Sequence, residues 1–264
     1  MTRRRWIADT WDSTTAKLHG DQAQHLSRVL RAQPGMEFDV VAGGRAWLAR
    51  IASIDRDSVQ FTLLQELEAA AALPITLLLS VFKFDRMEWA IEKAVELGAS
   101  RIVPLLAERT EKHLAQAAAR RVERWRRIAL EAAKQSRRSD LAEIGEPLRL
   151  AAILAPDEPA SPPSADAAVT GPLRILLSET EEDQPLLRIL QQDAAGTAAS
   201  AIMLAVGPEG GWTAAEISLF TRSGWHSASL GPRILRVETA VIAALAVVNA
   251  AAAQSSLVQI RSPQ

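Results

Sequence analysis

The six residues 201–206, AIMLAV, carry no polar side chain and stop abruptly at Gly207-Pro208. A run this short, without alternation of apolar and polar positions, fits a strand buried on both faces, the environment of a parallel sheet covered by helices. The next ten residues narrow the fold further. Thr213 and Glu216 stand three residues apart in a capping-box pattern, so the turn 207–211 delivers the backbone directly onto a helix N-terminus. Its glycines let backbone amides approach a ligand closely. Phosphate is the usual guest of such a turn, but Glu209 stands where an anion would sit and no Gly-Lys-Ser/Thr follows. A cationic or neutral ligand fits better, and a plain glycine-rich turn is the competing reading. Downstream, residues 230–240, LGPRILRVETA, set Arg233, Arg236 and Glu238 between a short strand and a helix of almost pure Ala, Val, Leu and Ile. In an open α/β sheet, ligands bind beyond the carboxyl ends of the strands, where both loops should lie.

The same alternation begins at Pro74. Residues 75–82 read as a continuous apolar strand, and Asp85 with Glu88 suggests another capping box. Met87, Ala90, Ile91, Ala94 and Val95 keep helical spacing to a stop at Gly98, and 100–106 is the next strand. The class is therefore α/β. The turn Lys83-Phe84-Asp85-Arg86 lacks the glycines of a dinucleotide-binding fingerprint, which disfavours an NAD enzyme. Residues 156–172, rich in Pro, Ala, Ser and Asp, read as an exposed loop.

Residues before the alanine-rich joint at 69–73 follow a different pattern. Strands at 36–41 and 45–51 flank Ala42-Gly43-Gly44, a hairpin turn by its glycines, and 58–64 pairs next. Asp21 is expected to cap a short helix with Leu26, Val29 and Leu30 facing inward and His25, Arg28 and Arg31 facing elsewhere. The division expected is a small β domain, residues 1–72, and an α/β domain, residues 73–264.

Charge is unevenly spread, although the net charge is only −1. Arginines gather at the N-terminus and again in a helix at 120–138. There Trp125, Ile128, Ala129 and Ala132 make an apolar face, leaving Arg124, Arg127, Lys134, Arg137 and Arg138 for solvent or phosphate. The absence of cysteine excludes disulfides, thiolate metal sites and cysteine nucleophiles, and the four histidines show no ligand spacing, so no metal is expected. No apolar stretch follows the N-terminal arginines, and the apolar run 240–253 is short and alanine-rich. A cytoplasmic protein without membrane partners is expected.

GPEGGW followed by LGPRILRVETA resembles the signature of the bacterial ribosomal RNA small-subunit (16S) uridine N(3)-methyltransferases, a branch of the SPOUT superfamily. The resemblance extends to His-Leu-x-Arg-Val-Leu-Arg at 25–31 and Glu-Ala-x-x-Gln-Ser at 131–136. It implies a PUA-like β-barrel RNA-binding domain followed by a methyltransferase domain with a trefoil knot, a homodimer, and S-adenosylmethionine as methyl donor. Its implied substrate is 16S ribosomal RNA, within the small subunit. Residues at matching positions then become candidates: Gly207, Pro208, Glu209, Gly210, Gly211, Leu230, Gly231, Ile234, Leu235, Arg236 and Ala240 for the cofactor. The candidates for RNA, drawn from the basic segments, are Arg3, Arg4, Arg5, His25, Arg28, Arg31, Lys83, Arg86, Arg137 and Arg138. Arginine cannot act as a base at neutral pH, so Arg236 is expected to stabilise charge on the uracil oxygens. Glu238 is expected to accept the proton or to hold Arg236; a helix-start carboxylate favoured by the dipole is its other reading. Phe84 and Arg137 depart from the family pattern, where a small residue and a glycine are usual. A ribose 2′-O-methyltransferase of the same superfamily and a non-catalytic RNA-binding assembly factor are the alternative functions.

Overall fold

The structure, a computed structural model, describes residues 5–67, 74–136, 138, 140–154, 171–195 and 201–261. The joint at 69–73 and nearly all of the loop at 156–172 lie outside them. The chain divides into two units, Met1–Ala71 with Leu130–Leu141, and Ala72–Ala129 with Ala142–Gln264.

The first unit contains β1 (Arg5–Ile7), β2 (Thr10–Trp11), β3 (Thr15–His19), α1 (Gly20–Gln24), β4 (Glu37–Ala42), β5 (Arg45–Ile54) and β6 (Ser58–Glu66). The strands form one sheet in the order β1-β4-β5-β6-β3-β2. Gly43 and Gly44 both take positive φ, 61° and 77°, as a tight two-residue hairpin between β4 and β5 requires. Ala8 donates its N–H to Val41 on β4 at 2.8 Å, and Asp9 donates to Lys17 on β3 at 2.9 Å. Consecutive residues thus join the two ends of the sheet, which closes it around Leu18, Leu26, Val40, Ile51, Val59 and Phe61.

The short helix differs from expectation. His19, not Asp21, is the N-cap of α1, and no side chain caps it. Residues His25–Val29 continue as a π-turn, with Leu30 N–H reaching His25 O at 3.1 Å. The wider turn breaks the three-to-four spacing on which the inward face was predicted, so Leu26 is buried but Val29 and Leu30 are exposed. Arg31 closes the turn at φ 50°, in the left-handed region, at a cost of about 1–2 kcal/mol for a residue with a Cβ.

The second unit contains β7 (Ile75–Ser80), α2 (Phe84–Glu96), β8 (Ala99–Leu106), α3 (Lys112–Ala117), α4 (Val122–Ser136), β9 (Glu143–Ile144), β10 (Leu148–Arg149), α5 (Leu150–Leu154), β11 (Leu173–Leu177), α6 (Leu186–Ala195), β12 (Ile202–Val206), α7 (Ala214–Arg222), β13 (His226–Ala228) and α8 (Val237–Arg261); the end of α4 groups with the first unit. The strands are parallel, in the order β10-β8-β7-β12-β11-β13, with β9 also on β8. The buried-on-both-faces reading of 201–206 holds: β12 lies between β7 and β11, and Leu204, Ala205 and Val206 are buried.

In α2 the apolar face is as read, with Met87, Ala90, Ile91, Ala94 and Val95 buried and Gly98 ending the helix at φ 95°. The capping box at its start is absent. Lys83, not Asp85, is the N-cap and makes no side-chain bond, so Asp85 already lies in the first turn; Glu88 turns to α4 and accepts two hydrogen bonds from Arg124, at 2.6 and 2.7 Å. Helix α8 starts three residues before the expected Ala240. Its stretch Val237–Gln254 is long and apolar enough to cross a membrane by length and composition alone. Val237, Val241, Ala244, Leu245 and Val248 are buried at core-helix spacing, and α2 and α6 pack on it.

Candidate active site

Three adjacent parallel strands, β12, β11 and β13, end side by side, and the loops leaving their carboxyl ends enclose a cleft of about 560 Å³. The loop after β11 contributes Ser178, Glu179, Thr180, Glu181 and Glu182. That after β12 contributes Gly207, Pro208, Gly211 and Trp212, and that after β13 contributes Ser229 and the run 230–235. Leu177, Val206, Ile217 and Val237 supply an apolar floor and walls. Among the described residues, three lining carboxylates stand against a single lining cation, Arg233, so the cleft is electronegative.

The glycine turn is clamped from several directions. Thr213 caps α7 with the full reciprocal capping box, its side chain accepting from Glu216 N–H. The Glu216 carboxylate, buried, also accepts from Thr213 N–H at 2.9 Å and from Glu108 N–H, beyond β8, at 2.8 Å. Arg109 donates to Gly210 O at 2.7 Å. The Trp212 indole N–H donates to Leu177 O at 2.9 Å, tying the turn to the end of β11. Its ring starts an edge-to-face series through Phe220 to Trp225 with centroids 5.0 Å apart at each step, each pair adding about 0.5–1.5 kcal/mol beyond buried area. Gly207 is required by closeness: a Cβ there would stand 3.1 Å from Trp212 Cε2 and Nε1.

Of the cofactor candidates, Gly207, Pro208, Gly211, Leu230, Gly231, Ile234, Leu235 and Ala240 line the cleft, whereas Glu209, Gly210 and Arg236 do not. Glu209 turns the other way and pairs with Arg86 of α2 at 3.2 Å. The Nε of the same guanidinium lies 3.9 Å from Glu238 Oε1. Arg86 therefore spans the glycine turn and the first turn of α8. Glu238 is buried, and its Oε2 has no hydrogen-bond partner among the described residues. Arg236 is exposed, and the ion pair formed by Glu238 is with Arg86 instead of Arg236. Ser178–Glu182 did not stand out in the sequence, although an acidic run directly after an apolar strand was a usable signal, and Trp212 was read only as part of GPEGGW and not as a site residue.

A family model described as an RNA methyltransferase domain matches residues 69–249, and one described as an RNA methyltransferase PUA domain matches residues 18–64. The chain belongs to the RNA methyltransferase family. A Synechocystis protein named ribosomal RNA small subunit methyltransferase E is 37% identical over 246 residues, which cover 92% of this chain and 74% of the relative. A Bacillus subtilis protein of the same name is 27% identical over 242 residues, 90% of this chain and 91% of its own. The crystal structure of a Neisseria gonorrhoeae protein of that name, bound to S-adenosyl methionine, aligns with TM-score 0.70 at 28% identity, covering 94% of this chain and 98% of that one.

The residues suggested for RNA in this RNA methyltransferase fall into distinct settings. Arg3, Arg4 and Arg137 lie outside the described residues, and Arg5 lies in β1. His25 is half-buried, with its ring 5.9 Å from that of Trp6. Arg28, Arg31 and Lys83 are exposed. Arg86 is engaged as described, and Arg138 pairs with Asp140 with its side chain only 9% exposed. On α4 much of the basic charge is likewise answered within each unit. Arg124 binds Glu88, which raises its pKa above the ordinary value chiefly through that hydrogen bond. Lys134 binds Asp9 and Glu131, both at 3.3 Å.

Proposed function

We propose that this chain uses S-adenosylmethionine to methylate N(3) of a uridine in 16S ribosomal RNA of the small subunit. The reading rests above all on the electronegative cleft over three adjacent strand ends, in a chain similar along 94% of its length to a structure bound to that cofactor. The residues fit the molecule. Glycine backbone and the walls Leu177, Val206 and Ile217 suit a flat heteroaromatic ring, and Glu179, Glu181 and Glu182 suit a group bearing ammonium and sulfonium charges. Such a sulfonium supplies an activated methyl group, so alignment is the main task left to the protein. Gly207, Gly211 and the run 230–235 hold the donor, with Trp212 fixing the turn against β11.

The imide proton of the uracil must leave before N(3) can attack. Arg236, exposed at the entrance to α8, stabilises the negative charge that develops on the carbonyl oxygens. Glu238, with one buried oxygen unanswered, is the proton acceptor, and Arg86 holds it in place. Because N(3) is on the pairing edge, the base is taken unpaired or extruded. Residues 1–72 act as the RNA-holding domain and 73–264 as the catalytic domain. The reading carries with it a trefoil knot in the second unit and a homodimer.

The test mixes purified protein, methyl-labelled S-adenosylmethionine and small ribosomal subunits or their RNA, then digests the RNA and locates the label. Label on uracil N(3) is expected. Label on a ribose 2′-oxygen would identify the related sugar methyltransferase, and absence of label with RNA still bound would identify an assembly factor.

A further inference from the structure

The π-turn in the first unit presents four consecutive exposed residues, Arg28, Val29, Leu30 and Arg31. Val29 is 65% exposed and Leu30 42%, whereas Ala23 and Leu26 of the same helical segment are buried. Two features hold this pair outward. The π-turn, closed by Leu30 N–H to His25 O, rotates them off the inward face. The left-handed Arg31 then lets Ala32 N–H return to Leu26 O at 3.1 Å, with Ala32 buried. Glycine usually fills that left-handed position at a helix end. Here it is an arginine, so the backbone strain is accepted where a long cationic side chain is delivered to the surface. On α4, by contrast, Arg124 and Lys134 are bound by Glu88 and Asp9.

An aliphatic pair flanked on both sides by exposed guanidinium groups is chemically suited to an unpaired stretch of nucleic acid. Bases offer flat apolar faces once they are unstacked, and phosphates offer charge on either side. We propose that Val29 and Leu30 pack against unpaired bases of the RNA while Arg28 and Arg31 contact the flanking phosphates. The inference rests on the RNA-modifying reading, and it adds a base-contacting surface remote in sequence from the cleft.

Ionic and apolar contacts respond differently to salt, which makes the two halves of the surface separable. Full-length protein is titrated against a labelled small-subunit ribosomal RNA transcript by filter binding at several salt concentrations. Val29→Ser with Leu30→Ser is expected to weaken binding about tenfold at every salt concentration, as two aliphatic side chains cease to bury their surface, with the slope of log affinity against log salt unchanged. Arg28→Gln with Arg31→Gln is expected to flatten that slope by about 1.4, two contacts at roughly 0.7 each on single strands. The apolar replacement Val29→Ile with Leu30→Met should keep wild-type affinity. Because these side chains are exposed, the melting temperature should be the same for all three variants to within a few degrees, and affinity is compared only after that is checked. Wild-type affinity in the serine variant overturns the inference, as does a changed slope, which would make the contact ionic. A changed oligomeric state with unchanged RNA affinity also overturns it, by assigning the pair to a protein contact. Failure of the wild-type protein to bind the transcript at all strikes the RNA-modifying reading itself.

Discussion

Gly207→Ala isolates what the closeness of the glycine turn to Trp212 is worth. Gly207 does not take a left-handed φ, so alanine is acceptable to the backbone there, and the whole effect comes from its new methyl group. That methyl would lie 3.1 Å from Trp212 Cε2 and Nε1 and 3.4 Å from Cδ1, so the indole must retreat by roughly half an ångström to reach ordinary carbon contacts. Trp212 has little room to do so. It is 8% exposed, donates to Leu177 O at 2.9 Å and meets Phe220 at a centroid distance of 5.0 Å. Overpacking of this kind costs about 1–3 kcal/mol, and loss of the indole hydrogen bond adds about 1 kcal/mol. If the turn shifts to relieve the strain, the cleft lining moves with it. Cofactor affinity should then fall by about tenfold to a hundredfold, at 1.4 kcal/mol per factor of ten. Calorimetry with S-adenosylmethionine reads this directly. Gly171→Ala is the control, since nothing lies within 4 Å of its added methyl, its φ is not left-handed and it does not line the cleft. Replacing Trp212 by Phe should relieve much of the Gly207→Ala penalty, giving a coupling of about 1 kcal/mol in the double-mutant cycle. A Gly207→Ala protein that binds the cofactor within twofold of wild type and melts at the same temperature would show that the indole does not hold the turn in place.

Arg236→Ala should slow single-turnover methylation about a hundredfold or more with little change in cofactor affinity, and Arg236→Lys should recover only part of the rate, since an ammonium lacks the planar fork of guanidinium; a normal rate would remove Arg236 from the chemistry. Arg86→Ala leaves the buried Glu238 without its nearby cation and releases Glu209, so the melting temperature should fall by roughly 2–4 °C, the shift of about 1 kcal/mol in a protein of this size, and the turnover rate should fall more than the Michaelis constant for RNA rises. Asp12 has its pKa lowered to about 2, mainly by backbone hydrogen bonds from Thr14 and Thr15 and the Thr15 side chain. Its contribution is therefore complete above the ordinary value of 3.8 and is lost as pH falls through about 2. The difference in melting temperature between wild type and Asp12→Ala should accordingly be constant at pH 5 and above and shrink between pH 4 and 2; a difference independent of pH would show that the carboxylate charge is not involved.

Local chemistry was legible in the chain wherever one segment settles its own structure. The tight turn at Gly43-Gly44, the Thr213–Glu216 capping box, the inward face of α2 and its stop at Gly98 each depend on residues a few positions apart. The unbroken apolar run at β12 likewise announced a strand covered on both faces, and the paired loop motifs announced the family. Folding in three dimensions settled what depends on partners far apart in sequence. It brought the acidic loop after β11 beside the glycine turn, because β11 and β12 pair in parallel and end at the same edge. It started α2 ahead of Asp85, paired Glu88 with Arg124, 36 residues away, and turned Glu209 from the cleft toward Arg86, across a separation of 123 residues. A charge chooses its partner by geometry that no spacing rule encodes, and a single π-turn was enough to carry Val29 and Leu30 from the predicted core to the surface.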